Sequence, residues 1–219
     1  MITQEDQLQL FELIAKKISF DIDAYVFGGT AMMFYGYKDE TKDIDILFET
    51  EKQRNEFIKI IKDLGFGTYS PMNLYIPKKL QDKNNPLMFQ RLDYRIDVFV
   101  KRIFRTQLSD KMKEDAFALH EFRGKNTLGI HVLRKEHIVQ LKAITERQND
   151  FDDIVNIVSK EKNFNWQYVI DEVVWQHQHG DSWAIIDMEK AMHELKNEFL
   201  IEKRFFDQLY KAQNDKKKK

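Results

Sequence analysis

The stretch YVFGGTAMMFYGYKDETKDIDILFET, residues 25–50, sets two adjacent glycines, Gly28 and Gly29, after a short β-rich run, and two aspartates, Asp43 and Asp45, inside the next apolar run. Side chains on a strand alternate faces, so Asp43 and Asp45 project together while Ile44 and Ile46 turn toward a core. AYVF reads as a strand ending in a sharp glycine turn. TAMMFYGY reads as a short helix with Gly36 near its C-terminus, and DIDILFE as the following strand.

Working outward, residues 6–18 carry Leu8, Leu10, Phe11, Ile14, Ala15 and Ile18 at helical spacing. Thr50 with Gln53 has the form of a capping box that opens the helix EKQRNEFIKIIKDLG, closed by Gly65. Residues 67–90 hold all three prolines and predict irregular excursions around one or two short strands. RLDYRIDVFV predicts a third core strand, with Leu92, Tyr94, Ile96, Val98 and Val100 on one face and Asp93, Arg95, Asp97 and Phe99 on the other. Ser109 is expected to cap a helix running to about Phe122, with Gly124 beyond it. NTLGIHVL then reads as a strand and RKEHIVQLKAITER as a helix. From residue 150 onward the pattern is helical, broken at KNFN and HGDS, and the tail NDKKKK reads as a solvated, disordered end.

A chain of 219 residues can bury a real core without a staple. With 35 basic and 36 acidic residues, bulk charge neither requires nor excludes a nucleic-acid partner. The absence of cysteine excludes disulfides, thiolate zinc sites and cysteine nucleophiles together. The acidic, amphipathic N-terminus lacks a basic n-region and an apolar h-region, and no run approaches the roughly 20 apolar residues of a membrane span. The expectation is a soluble, cytoplasmic protein with no membrane partner.

Two carboxylates within bridging reach repel unless a cation lies between them. Mg²⁺ (or Mn²⁺) suits such a site, because it is held by one or two carboxylates together with substrate phosphates. Asp97, flanked by apolar residues in RIDVFV, is the natural third carboxylate. Gly28 and Gly29 allow close backbone approach, and Thr30 begins a helix whose free N–H groups suit a phosphate. Phosphate at one end and metal at the other describe a nucleoside triphosphate, with Asp97 placed to activate an attacking hydroxyl. Walker-type, HExxH, Gly-x-Ser-x-Gly and dinucleotide motifs are missing, which removes common rivals.

Other features have weaker claims. His177 and His179 with Asp181 lie at i, i+2, a poor geometry for a shared metal on a helix, and Trp175 and Trp183 are expected to pack a helical bundle. Lys101, Arg102 and Arg105 with Phe104 offer a basic stretch after the Asp97 strand, either a solvated strand end or a hold on RNA or another polyanion.

Apolar-Gly-Gly-Thr, twelve intervening residues, Asp-Ile-Asp-Ile and a later Ile-Asp-Val strand together resemble the DNA polymerase β-type nucleotidyltransferase superfamily. Within it, VFGGTAMMFYG…TKDIDILF is similar to the branch that includes the abortive-infection toxin nucleotidyltransferases and many uncharacterised prokaryotic proteins. That branch carries a later helix with a lysine, an arginine and an Asp-x-x-Asp pair, which Lys142, Arg147, Asp150 and Asp153 match. Asn149-Asp150 departs from its Arg-Asp, and the helices after residue 160 match no part of the family. The resemblance implies an α/β fold with a mixed sheet flanked by helices over residues 1–158 and a helical C-terminal region with a basic tail over 159–219. It implies transfer of a nucleoside monophosphate from an NTP (ATP among them) to RNA such as a tRNA end, to protein or to a small molecule. Asp43, Asp45 and Asp97 would be catalytic and metal-binding, and Gly28, Gly29, Thr30 and Lys142 nucleotide-binding. Arg147, Asp150 and Asp153 would support them from behind, and the toxins of the family have a cognate antitoxin. Asp150 and Asp153 can equally bond to their own helix N-terminus or to Arg147. Two other classes stay open: a catalytically silent nucleotide- or RNA-binding module, against which the intact carboxylates count, and an assembly protein built on the helical C-terminus.

Overall fold

The computed structural model describes residues 1–70, 83–145 and 147–216. By internal contacts the chain divides into two compact units, Met1–Arg134 and Lys135–Lys219. The division falls before the helices that carry Lys142 and Asp150, earlier than the 158/159 boundary read from sequence, because the Lys142 helix packs on the Asp150 helix and on two of the helices that follow.

The first unit runs β1 (Ile2–Thr3), α1 (Gln4–Ala15), β2 (Ile22–Val26), α2 (Gly28–Phe34), β3 (Glu40–Thr41), β4 (Asp43–Phe48), α3 (Glu51–Asp63), β5 (Gly67–Tyr69), β6 (Leu87–Arg91), β7 (Tyr94–Val100), β8 (Arg102–Ile103), β9 (Thr106–Gln107), a short helix Asp110–Glu114, β10 (Ala118–Arg123) and β11 (Thr127–Val132). The main sheet has the order β10-β11-β2-β4-β7-β6-β5, with β8 and β9 appended beside β7. It is mixed: β4 pairs parallel with β7 and antiparallel with β2, and β2 pairs parallel with β11. The fold is therefore the expected mixed sheet flanked by helices.

One sheet face is apolar. Ala24, Val26, Ile44, Ile46, Ile96, Val98, Leu128 and Ile130 are all fully buried, and α1 and α3 lie against their strands. Phe48 meets Phe57 of α3 at 5.0 Å between ring centroids, and Phe11 of α1 meets Phe122 at 5.6 Å. Each such side chain contributes about 1.5–3 kcal/mol by leaving water. The helices begin where their caps dictate. Thr50 and Gln53 form the expected capping box, and Thr3 with Asp6 forms another at α1.

The helix expected from Ser109 to about Phe122 is a correction. Ser109 does cap, its Oγ accepting from the Met112 N–H at 3.1 Å, but the helix stops at Glu114 and residues 118–123 form an edge strand. Those residues alternate half-buried and exposed, and they pair antiparallel with β11 around a turn at residues 124–126. Gly124 lies against the end of α1, where a Cβ would come within 2.4 Å of the Ala15 carbonyl oxygen. The strand β5 falls within the irregular region expected over residues 67–90 and β6 runs one residue past it, and residues 71–82 of that region lie outside those described.

The second unit is helical throughout: Lys135–Ala143, Gln148–Lys160, Trp166–Gln178, Ala184–Leu195 and Lys203–Lys216. Its breaks include the expected KNFN and HGDS. The last helix runs into the tail expected to be disordered, of which residues 217–219 lie outside the described residues. Trp183 is 40 % exposed and Trp175 half-buried, so the tryptophan that packs this unit is Trp166. Among the described residues no helix is long and apolar enough to cross a membrane.

Candidate active site

Parallel pairing of β4 with β7 sets Asp45 opposite Asp97 and Asp43 opposite Arg95. Cross-strand partners share a face, so three carboxylates and one guanidinium project from the sheet face opposite the apolar one. Asp97 is 1 % exposed. Arg95, whose side chain is 16 % exposed, spans two of the carboxylates: Nε donates to Asp97 Oδ1 at 2.9 Å, and Nη2 donates to Asp43 Oδ2. The alternation of RLDYRIDVFV places Arg95 on the face of Asp97 but does not by itself assign it to the site. The signal was its i, i+2 spacing from that aspartate.

The glycine turn meets the same carboxylates from the other side. Gly28 has φ +58°, a conformation that favours glycine, and a Cβ there would lie 2.2 Å from Asp45 Oδ2. A Cβ on Gly29 would lie 2.2 Å from Thr41 Oγ1, whose hydroxyl is 3.5 Å from Asp43 Oδ1. Gly28 thus lets α2 pack onto the acidic strand β4 and Gly29 lets it pack onto Thr41 of β3, a demand the sequence did not reveal. Thr30 is fully buried, and its hydroxyl accepts the Asp45 N–H at 3.0 Å and donates to the Asp43 carbonyl at 3.4 Å. In this geometry the Thr30 hydroxyl fixes the turn to β4. The helix α2 follows Phe27, which supplies no capping side chain.

An all-oxygen donor set fits a hard divalent cation, and the in-register Asp45–Asp97 pair with Asp43 on the same face supplies one. Among the described residues no three acidic or histidine side chains already converge as a closed metal cage. Mg²⁺ sites completed by substrate phosphates do not require one.

No family model matches the chain, and no curated protein matches it.

The remaining expected residues form a cluster inside the second unit. Lys142, 7 % exposed, donates to Asp150 Oδ1 at 2.9 Å and to Asp153 Oδ2 at 2.6 Å. Arg147 Nε donates to Asp150 Oδ2 at 2.6 Å, and the Thr145 hydroxyl donates to the same oxygen at 2.5 Å. Burial alone would raise the Asp150 carboxyl, but the charges of Lys142 and Arg147 and the bonds from Thr145 and Lys142 hold it at about 2. Burial would lower the Lys142 ammonium, and the two aspartates outweigh that and raise it. Here Lys142 is the counter-ion of two carboxylates, and Thr145 joins the set the sequence had singled out.

A pH dependence follows. The native pKa of Asp150 lies below the ordinary 3.8, so its contribution is fully present above about pH 4 and is lost as pH falls through about 2. The shift corresponds to about 2 kcal/mol. Chemical unfolding followed from pH 5 to pH 2 should show that loss in the wild type and a flatter profile in Asp150→Asn. Parallel profiles would remove Asp150 from the account of acid stability.

The other marked features have local roles. Arg102 donates to the Arg105 carbonyl and to Gln107 Oε1, both at 3.0 Å, closing the β8–β9 hairpin. His177 is buried, whereas His179 stacks on Trp175 with ring centroids 3.9 Å apart.

Proposed function

We propose that the first unit is the catalytic body of a metal-dependent nucleotidyltransferase, which moves a nucleoside monophosphate from an NTP to a hydroxyl acceptor and releases pyrophosphate. The observation that carries this reading is the register of β4 on β7, which makes Asp45 and Asp97 neighbours on one face with Asp43 one step along it. The resemblance of the Gly-Gly-Thr and Asp-Ile-Asp spacing to the DNA polymerase β-type superfamily supports the same chemistry.

In this proposal Asp43, Asp45 and Asp97 hold Mg²⁺ (or Mn²⁺), which when bound supplies charge stabilisation for the oxygens of an in-line displacement. Asp97 accepts the proton of the acceptor hydroxyl. The hydroxyl oxygen bonds to the α-phosphorus as the bond from that phosphorus to the bridging oxygen of pyrophosphate breaks. Gly28, Gly29 and Thr30 form the triphosphate side, and the packing of Gly28 on Asp45 ties that side to the carboxylates. The acceptor is a hydroxyl of RNA, protein or a small molecule, met in the cytoplasm. A toxin role with a cognate antitoxin is the narrower form of the proposal.

Ligand binding to the native state raises its stability, so thermal unfolding gives a direct test. NTP should raise the melting temperature only when Mg²⁺ is present, and Asp45→Asn should abolish the rise. An equal rise without Mg²⁺, or in the variant, would contradict the proposed site.

A further inference from the structure

The most unusual group on the carboxylate face is Arg95. A strand register that puts three aspartates together also puts this guanidinium directly opposite Asp43, and its planar fork reaches Asp43 with Nη2 and Asp97 with Nε. Two-pronged, charge-assisted bonds of this kind are among the stronger ones a side chain makes. The side chain is mostly shielded, and Asp97 is almost fully so, which weakens screening by solvent.

We propose that Arg95 is an exchangeable resident cation of this site: its guanidinium and a divalent metal ion compete for Asp43 and Asp97. The inference rests on the metal-site reading given above and goes beyond it by assigning a positioning and regulatory role to a residue outside the carboxylate set. The balance is one of charge. Carboxylates on one sheet face repel one another unless a cation offsets them, and Arg95 supplies one positive charge to Asp43 and Asp97 from within the chain. A divalent ion supplies two, but it must take carboxylate oxygens that Arg95 already engages. Loading therefore carries the cost of releasing charged hydrogen bonds, and metal affinity is set low until a nucleotide adds its own phosphate ligands. The consequence is a site that stays folded and quiet at low metal and loads metal together with its substrate.

A purely structural arginine makes the opposite forecast, since removing it would loosen the carboxylates and weaken metal binding. Mn²⁺ binding, followed by the electron paramagnetic resonance signal of the free ion, separates the two without any assay of turnover. Arg95→Met should bind Mn²⁺ at least about tenfold more tightly than the wild type, the scale of a lost charged hydrogen bond. Arg95→Lys, which keeps the charge but not the fork, should fall between them, and it serves as the comparison if the methionine variant folds poorly. Methylguanidinium at millimolar concentration should weaken Mn²⁺ binding by Arg95→Ala and leave the wild type unchanged. Asp45→Asn should lose Mn²⁺ in either background. Wild-type binding that is lost in Asp45→Asn but equal or weaker in both Arg95→Met and Arg95→Lys would overturn the exchange while leaving the metal site standing. No Mn²⁺ binding by the wild type or any Arg95 variant would remove the metal site and the exchange together.

Discussion

Replacing Asp97 by Asn should lower pyrophosphate release from NTP by about 10³-fold or more while leaving the protein folded. Asp97 is 1 % exposed, sits beside the buried Ile96 and Val98, and is the cross-strand partner of Asp45. The amide has nearly the shape of the carboxylate, so the strand still packs, and its oxygen can still accept the Arg95 Nε–H. It cannot take up a hydroxyl proton, and it gives a cation a neutral oxygen in place of a charged one. In the proposed reaction, loss of base and loss of ligand charge act on the same step, and their effects combine. Steady-state rates with a folding control by circular dichroism check it. Activity within tenfold of wild type would take Asp97 out of the reaction.

Gly28→Ala should be nearly as damaging by a different route. The added methyl group would start 2.2 Å from Asp45 Oδ2, and the backbone at φ +58° disfavours any residue with a Cβ. The left-handed conformation costs about 1–2 kcal/mol, and overpacking in a tight interface adds about 1–3 kcal/mol. Asp45 must also move, and displacing a reacting group by even about 1 Å costs roughly 100-fold in rate. Denaturant unfolding and turnover should therefore fall together. A variant with wild-type stability and turnover would show that the glycine turn does not bear on the carboxylates.

Some of this site was legible in the chain itself. Alternation in DIDILF and RIDVFV places Asp43, Asp45 and Asp97 opposite the apolar residues between them, and the buried Ile44, Ile46, Ile96 and Val98 match that pattern. Pairing between the two strands is another matter. Among the described residues α3, β5 and β6 lie between Asp45 and Asp97, and no local periodicity records that the two meet in parallel register. The place of Arg95 on the Asp97 face is legible from its i, i+2 spacing, but its pairing with Asp43 is not, because it depends on the same parallel register.

The misread helix after Ser109 shows the converse. Its first turn carries true helix signals, but the outcome for residues 118–123 was decided by β11, whose ladder offers hydrogen bonds that an isolated helix end does not. The resemblance groups Lys142 with Arg147, Asp150 and Asp153, but periodicity alone makes it one position of an amphipathic helix and does not pair it with the aspartates. Its two aspartate partners lie on the next helix, across a turn whose path the sequence does not specify.

Chemical transfer at the Asp43, Asp45 and Asp97 face leaves a labelled acceptor and free pyrophosphate as its products. The most direct test is to incubate the protein with each α-labelled NTP, Mg²⁺ and separate RNA, protein and small-molecule fractions, while measuring pyrophosphate. Label should be bound in one fraction, with pyrophosphate released in equal amount, and neither should occur with Asp45→Asn. Absence of label from every fraction and of pyrophosphate, from a protein shown to be folded, would contradict it.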